Sequence, residues 1–203
     1  MLNQPSLAIL IDFWHPVRFP ENRIDNTLAF LNSTSYAIKT VVLATYNSRS
    51  ELFFQNNSLW YRNRKDWYEK SCVWARDKSI SDDTKSIKNK TFNNARTDSR
   101  ILQYCNPNQY QIAMFQYWEM EYYLSVHPEI KNIYVVGAAW EECIRHRPLG
   151  YLELSQLKTV NILTHTDLVR SNKSEQLDLS SYRHWIKIEG NIYQYLGNKK
   201  VDP

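Results

Sequence analysis

Glycine is scarce in this chain, which restricts the ways in which it could hold a nucleotide. Only four glycines occur among 203 residues. The sequence contains neither the GxGxxG pattern of dinucleotide-binding loops nor the GxxxxGK pattern of phosphate-binding P-loops. We therefore exclude a glycine-rich phosphate loop, and we predict that the protein has no cofactor.

Cysteine is also rare, and the only three are Cys72, Cys105 and Cys143. An odd and sparse set does not form the disulfide framework of a small secreted domain, and no CxxC pair indicates zinc. The set fits a protein kept in a reducing compartment. At least one thiol is left as either a buried small side chain or a nucleophile, and we interpret Cys72 and Cys105 as inert core residues.

Long hydrophobic runs are missing as well. The longest runs, such as Leu7–Ile11, are far shorter than the roughly 20 apolar residues that span a bilayer. The first residues, Met1–Gln4, have neither the basic start nor the small-residue cleavage site of a signal peptide. With 43% hydrophobic residues, the chain can nevertheless bury a core. We expect one soluble, cytoplasmic domain over residues 1–203, with no membrane partner.

The net charge of +4 is concentrated in one segment. Between Trp60 and Arg100, eleven basic residues face six acidic ones, whereas the rest of the chain has fourteen basic and fifteen acidic residues. Over Trp60–Tyr68 cations are interleaved with aromatic residues, a mixture that binds single-stranded nucleic acid by stacking and phosphate contacts. The alternative is an ordinary helix or lid with its aromatic side chains buried. We favour this alternative because the surplus of charge is small.

Runs rich in apolar residues predict strands buried on both faces of a parallel sheet. These runs are Leu7–Asp12, Ile38–Thr45, Lys131–Gly137 and Leu157–Leu163. Between the first two runs, Ile24, Leu28 and Leu31 lie at helical spacing, which completes a βαβ unit. The alternation of strands and helices predicts an α/β fold, namely a three-layer sandwich with a mainly parallel, Rossmann-like open sheet.

The other segments have weaker patterns. We predict a short third strand over Arg100–Cys105 and a helix from about Gln109 to Ser125, in which Ile112, Phe115 and Tyr122 recur at helical spacing. Residues 46–100 are interpreted as a basic polar excursion. From Ser181 the chain alternates weakly, which indicates a final hairpin or an edge strand.

Two residues stand where chemistry is expected in such a sheet. Ligands bind outside the carboxyl ends of parallel strands, at the point where the strand order reverses. Asp12 ends the first predicted strand, and Cys143 lies six residues after Gly137, which ends the fourth. A cysteine in the first turn of a helix is favoured as the thiolate, and an aspartate can act as its general base. Glu141 and Glu142 oppose the thiolate unless their carboxylates point away from it.

The segment Gly137–Ile144 resembles the G-V-x-T-D-x-C-V signature of the isochorismatase-like cysteine hydrolases, a family that includes nicotinamidases. The resemblance extends over Ile130–Gly137, to Leu149 and Tyr151, and to the opening strand Ile9–Asp12. Phe115 is similar to the phenylalanine that follows the family's lysine loop. The resemblance implies that Cys143 is the nucleophile and Asp12 the catalytic carboxylate. It also implies a cis peptide at Ala138–Ala139 and self-association into oligomers.

Several other residues are predicted to line the ligand pocket. Trp14 and His15 follow Asp12 into the cleft, and Ala138, Ala139 and Phe115 accompany them by resemblance. Trp140 replaces a small hydroxyl residue of the signature, so its indole either fills the pocket or stacks on a flat ligand. The Asp-x-His motif of the nicotinamidase metal site is missing from the sequence, and we predict no metal.

The family's third catalytic residue, a lysine, has no counterpart. It would lie at the end of the third strand just ahead of Phe115, but no lysine occurs between Lys90 and Lys131. Gln103, Cys105 or Asn108 could take its place. We therefore favour a degenerate relative that binds a small molecule or acts through assembly without full triad catalysis. The alternatives are a cysteine hydrolase of small amides or acyl compounds, and nucleic-acid binding through residues 60–100.

Overall fold

The computed structural model describes residues 2–11, 21–44, 58–78, 108–114, 116–146, 149–172 and 177–197. These residues form a mixed α/β fold around one eight-stranded sheet. The strands are β1 Ser6–Ile11, β2 Ile38–Ala44, β3 Tyr110–Met114, β4 Asn132–Ala138, β5 Asn161–His165, β6 Val169–Arg170, β7 Trp185–Glu189 and β8 Ile192–Tyr195. The α-helices are α1 Glu21–Asn32, α2 Ser58–Asp77, α3 Tyr117–Val126 and α4 Tyr151–Leu154.

The strands of the sheet are mostly parallel. Their order is β3-β2-β1-β4-β5-β8-β7, and the short β6 pairs with β4 beyond the end of β5. Each strand is parallel to its neighbour along the order β3-β2-β1-β4-β5, and β6 is parallel to β4. Strand β8 is antiparallel to both β5 and β7. The predicted α/β fold with a mainly parallel sheet is confirmed.

Strand β1 lies inside the sheet between β2 and β4, and this position explains its apolar sequence. Leu7, Ile9 and Ile11 belong to one hydrophobic cluster, which we call the first core cluster. Ala8 and Leu10 belong to a second core cluster on the opposite face. Successive side chains of a strand point to opposite faces, so a strand covered on both sides needs apolar residues at every position.

Helices pack against both core clusters. The α1 residues Ile24, Phe30 and Leu31 join the second core cluster. On the other face, Met120 and Tyr123 of α3 join the first core cluster. The predicted βαβ unit of β1, α1 and β2 is confirmed.

A ladder of polar side chains connects four strands near one end of the sheet. The Asn132 amide donates to Ser6 Oγ at 3.4 Å, and the Asn161 amide donates to Asn132 Oδ1 at 3.1 Å. Gln194 continues the ladder by donating to Asn161 Oδ1 at 3.2 Å. Buried polar groups lose hydration and need partners, and here the neighbouring strands supply them. The ladder therefore helps to set the register of β1, β4, β5 and β8.

The prediction of one helix from about Gln109 to Ser125 is wrong over its first part. Residues Tyr110–Met114 form β3, which pairs with β2, and the helix begins only at Tyr117. Ile112 and Met114 are fully buried in the sheet. A short apolar run cannot be assigned to helix or strand by periodicity alone, and pairing with β2 decides the matter here. The predicted strand Arg100–Cys105 lies outside the described residues.

Part of the predicted basic polar excursion over residues 46–100 forms the 20-residue helix α2. Trp67 of α2 packs its ring on Tyr122 and Tyr123, with ring centroids 4.8 and 5.1 Å apart. The Asn63 amide donates to the backbone carbonyl of Gln111 on β3 at 2.6 Å. Tertiary contacts thus stabilise a helix that has no clean hydrophobic period. Residues 79–100 lie outside the described part of the chain.

The last strands follow the predictions more closely. The predicted hairpin is present as β7 and β8, and β7 forms an edge of the sheet. The fifth strand begins at Asn161 rather than Leu157, since the Leu157 amide donates to Leu154 in a turn. Within the described ranges, no helix has the length and apolar character needed to cross a membrane.

Candidate functional site at the β1–β4 switch point

The strand order reverses at β1 and β4. From β1 the chain continues into α1, which packs on the second core cluster. From β4 it continues into a π-helical turn, Trp140–Ile144, and α4, which pack on the first core cluster. Because the two connections leave on opposite faces, a crevice is expected between them at the carboxyl ends of β1 and β4.

Gly137 brings these two strand ends unusually close together. It pairs with Ile11, the last residue of β1, and has a φ of +128°. A Cβ atom at this position would lie 1.9 Å from the Ile11 carbonyl oxygen. Only glycine allows both this φ and this approach. The chain segments that begin with Asp12 and with Ala138 therefore start from adjacent positions.

Cys143 lies in the π-helical turn that follows β4. The peptide bond between Ala138 and Ala139 is cis, at the position that the family resemblance implied. The amides of Glu142 and Ile144 both donate to the Ala139 carbonyl, at 3.2 and 3.0 Å. Cys143 is half-buried against the first core cluster and is not part of a disulfide.

The carboxylates of Glu141 and Glu142 are bonded to the segment that follows β6. Ser171 Oγ donates to Glu141, and the Asn172 backbone amide donates to the other oxygen of the same carboxylate at 3.0 Å. The Asn172 side-chain amide donates to Glu142 Oε1 at 3.3 Å. These bonds hold both carboxylates on the segment after β6 and favour their ionised form.

Trp140 is a core residue in this structure, with 1% of its surface exposed. Its ring stacks on Tyr151 at a centroid distance of 5.1 Å and lies 5.0 Å from the ring of Trp185. Aromatic pairs at these distances stabilise a fold beyond their buried area. This buried placement fits the prediction that the indole fills the pocket better than the prediction that it stacks on a flat ligand. The packing of Trp140 also anchors the turn that carries Cys143.

Two arginines lie beside the same segment. Arg170, the last residue of β6, pairs with Ala138 of β4. Arg23 on α1 donates from its guanidinium to the backbone carbonyl of Val169, the residue before Arg170. Burial lowers the pKa of Arg23, and the charge of Arg170 lowers it further, whereas Asp167 acts in the opposite direction. The two cations are therefore close enough to repel each other.

The end of β3 carries no cation. The residue just ahead of Phe115 is Met114, which is fully buried in the first core cluster. Asn108, one proposed replacement for the family lysine, is exposed and precedes β3, so it lies at the opposite end of that strand. Gln103 and Cys105 are outside the described residues.

The predicted site residues fall into two groups. The last residue of β4, Ala138, and the segment after it bring Ala139, Trp140 and Cys143 together, whereas Asp12, Trp14, His15 and Phe115 lie outside the described residues. Within the described ranges, no cluster of three His, Cys, Asp or Glu side chains could hold a metal ion. Sequence reasoning missed Arg23 and Arg170, since nothing in a pattern of single residues places β6 beside β4.

The structure describes the basic segment 60–100 only as far as residue 78. Trp67 and Trp74 of α2 direct their rings against Tyr122 of α3. The outward residues of α2 near its end include both signs of charge, such as Glu69 and Lys70. Trp67 and Trp74 are half-buried and Tyr68 is 39% exposed, so the choice between nucleic-acid binding and an ordinary helix stays a prediction.

No protein-family model matches this chain, and no match is found among curated proteins or among solved structures.

Proposed function

We propose that this chain is a degenerate isochorismatase-like protein that binds a small molecule in the crevice between β1 and β4. The proposal includes a three-layer sandwich with a Rossmann-like sheet, a cytoplasmic location and self-association, as the resemblance implies. The observation that carries it is the contact of Gly137 with the Ile11 carbonyl. This contact joins the strand end that precedes Asp12 to the strand end that precedes Cys143, the two residues matched to the family's catalytic pair.

The loss of full catalysis is proposed from the end of β3. A lysine at that position would stabilise both the carboxylate of Asp12 and a thiolate at Cys143. Met114 stands there instead, buried and uncharged. Without the cation, the thiol keeps its proton at neutral pH and reacts slowly, because the thiolate is the nucleophile. Binding of a ligand in the crevice does not need the lysine.

The alternative is a cysteine hydrolase of a small amide or acyl compound. In that case Asp12 accepts the Cys143 proton, the thiolate attacks the carbonyl carbon, and the proton passes to the leaving amine. Water then cleaves the thioester and regenerates the thiol. The observation that favours this alternative is the bonding of Glu141 and Glu142 to Ser171 and Asn172, which holds both carboxylates on the segment after β6.

The reactivity of Cys143 separates the two functions. We would measure the rate of alkylation by iodoacetamide against pH for the wild type, Cys143→Ala and, as a matched control, Cys72→Ala. Cys72 is a thiol on α2 and is similarly half-buried. For a degenerate relative we expect slow alkylation at Cys143, rising only near the ordinary thiol pKa of about 8.5.

Fast alkylation well below that pH, lost in Cys143→Ala but kept in Cys72→Ala, would contradict the degenerate assignment. A screen of small amides and esters would then test the hydrolase directly, with loss of turnover in Cys143→Ala as its requirement. Full turnover in Cys143→Ala would reject the hydrolase.

A further inference from the structure

The turn that carries Cys143 is fixed in the core at both ends, whereas its middle lies nearer the surface. Trp140, the first residue, and Ile144, the last, are 1% and 0% exposed and belong to the first core cluster. Between them, Glu142 is exposed, and Glu141 and Cys143 are half-buried. π-Helical turns are rare and occur frequently at functional sites. Contacts outside the core therefore matter for the way in which the middle of this turn is held.

The two residues that follow β6 supply such contacts. The pairing of β6 with the end of β4 brings them beside the turn. Ser171 Oγ and the Asn172 backbone amide both donate to the carboxylate of Glu141. The Asn172 side-chain amide donates to Glu142 Oε1 at 3.3 Å. Hydrogen bonds to an ionised acceptor are stronger than bonds between neutral groups, so this short segment holds two neighbouring residues of the turn.

We infer that Ser171 and Asn172 form a clamp that positions the Cys143 turn and restricts access to the Cys143 thiol. This inference rests on the proposed function and deepens it, because the turn borders the crevice in which the small molecule is proposed to bind. When the clamp opens, the middle of the turn can move away from the core cluster while its buried ends stay in place. Ser171 is thus a positioning residue that acts on Cys143 through Glu141.

The Ser171 bond should contribute most to the clamp. Ser171 is 7% exposed, whereas Asn172 is exposed, and water competes more effectively for the bonds of an exposed group. A hydrogen bond to a charged group changes an opening equilibrium by about tenfold or more. Loss of the Ser171 hydroxyl should therefore increase the open population about tenfold, and loss of the Asn172 side chain should increase it less.

The test measures the alkylation rate of each cysteine separately, by iodoacetamide labelling and peptide mass spectrometry over a range of pH. Ser171→Ala removes a hydroxyl but no charge, so the Cys143 rate should rise about tenfold while its pH dependence keeps its shape. Ser171→Thr retains a hydroxyl and should keep the slow rate of the wild type. Asn172→Ala should give a smaller rise. Cys72 on α2 reports global unfolding, and its rate should stay constant in all these variants.

Two further variants show whether the contact itself is responsible. Asp178→Ala is the matched control, because the Asp178 carboxylate accepts the Ser180 backbone amide at 2.9 Å in a similar contact elsewhere. It should leave the Cys143 rate unchanged. In a Glu141→Ala background, Ser171→Ala should have no additional effect, because the bond between the two residues is already lost.

Three outcomes would overturn the inference: an unchanged Cys143 rate in Ser171→Ala, an equal acceleration at Cys72, or full additivity of the Ser171 and Glu141 substitutions. If Ser171→Ala does not fold, Asn172→Ala makes the same comparison at an exposed position. The proposed function is judged by the pH at which the wild-type Cys143 becomes reactive, whereas the clamp is judged by the ratio of rates between variants at one pH. Failure of the one is therefore distinguishable from failure of the other.

Discussion

Replacing Gly137 by alanine tests the close approach of β1 and β4. The φ of +128° is a conformation that L-residues rarely adopt, at a cost of about 1–3 kcal/mol. The added methyl group would also lie 1.9 Å from the Ile11 carbonyl oxygen, and relieving such overpacking costs about 1–3 kcal/mol more. We expect Gly137→Ala to lower the free energy of unfolding by about 2–6 kcal/mol. In urea denaturation followed by tryptophan fluorescence, the midpoint should fall by about 1–3 M.

Gly190→Ala is the matched control for this substitution. Gly190 also has a positive φ, +52°, but no atom lies within 4 Å of a Cβ built there. Its replacement should cost only the left-handed conformation, about 1–2 kcal/mol. Equal losses of stability in the two variants would refute the steric part of the reasoning and would mean that β1 and β4 separate easily at Gly137.

Two further predictions concern buried polar groups. Burial lowers the pKa of His165 below its ordinary value of 6.5. The unfolded state therefore binds the proton more readily, and the stability of the fold should decrease as the pH drops below 6.5. Urea midpoints measured between neutral pH and about pH 5 should fall less steeply for His165→Phe than for the wild type, and identical pH profiles would contradict this. Tyr123→Phe should cost about 1–3 kcal/mol, because it leaves the buried Thr40 hydroxyl without its 2.7 Å partner. A double-mutant cycle with Thr40→Val should recover part of that loss, and strict additivity of the two single losses would argue against the bond.

The centre of the sheet was predictable because burial on both faces leaves a simple pattern. From Leu7 to Ile11 and from Ile133 to Val136 every position belongs to a core cluster, so apolar residues dominate both runs and the strands could be located within about two residues. Strand β3 gave the opposite result. Its Ile112 lies three residues before Phe115, a spacing that also fits a helix, and only pairing with β2 distinguishes the two.

The candidate site was predictable only where its residues are close together in the sequence. Cys143 and the alanine pair come directly after β4, so one segment of sequence contains them all. Arg23 and Arg170 are 147 positions apart in number, and their approach depends on the pairing of β6 with β4 and on the packing of α1. The contacts of Trp67 on α2 were equally unpredictable, because its partners lie on α3 and no local hydrophobic period indicates them.

The covering of β3 by α2 has a consequence for aggregation. An uncovered edge strand presents a row of amides and carbonyls that can pair with a strand of another molecule and extend a sheet without limit. At β3 the Asn63 amide of α2 occupies the Gln111 carbonyl, which limits its pairing with an incoming strand. At the other edge, β7 is only five residues long, with Lys187 and Glu189 exposed and a register shift between them. Both edges of the described sheet thus have features that discourage intermolecular strand pairing.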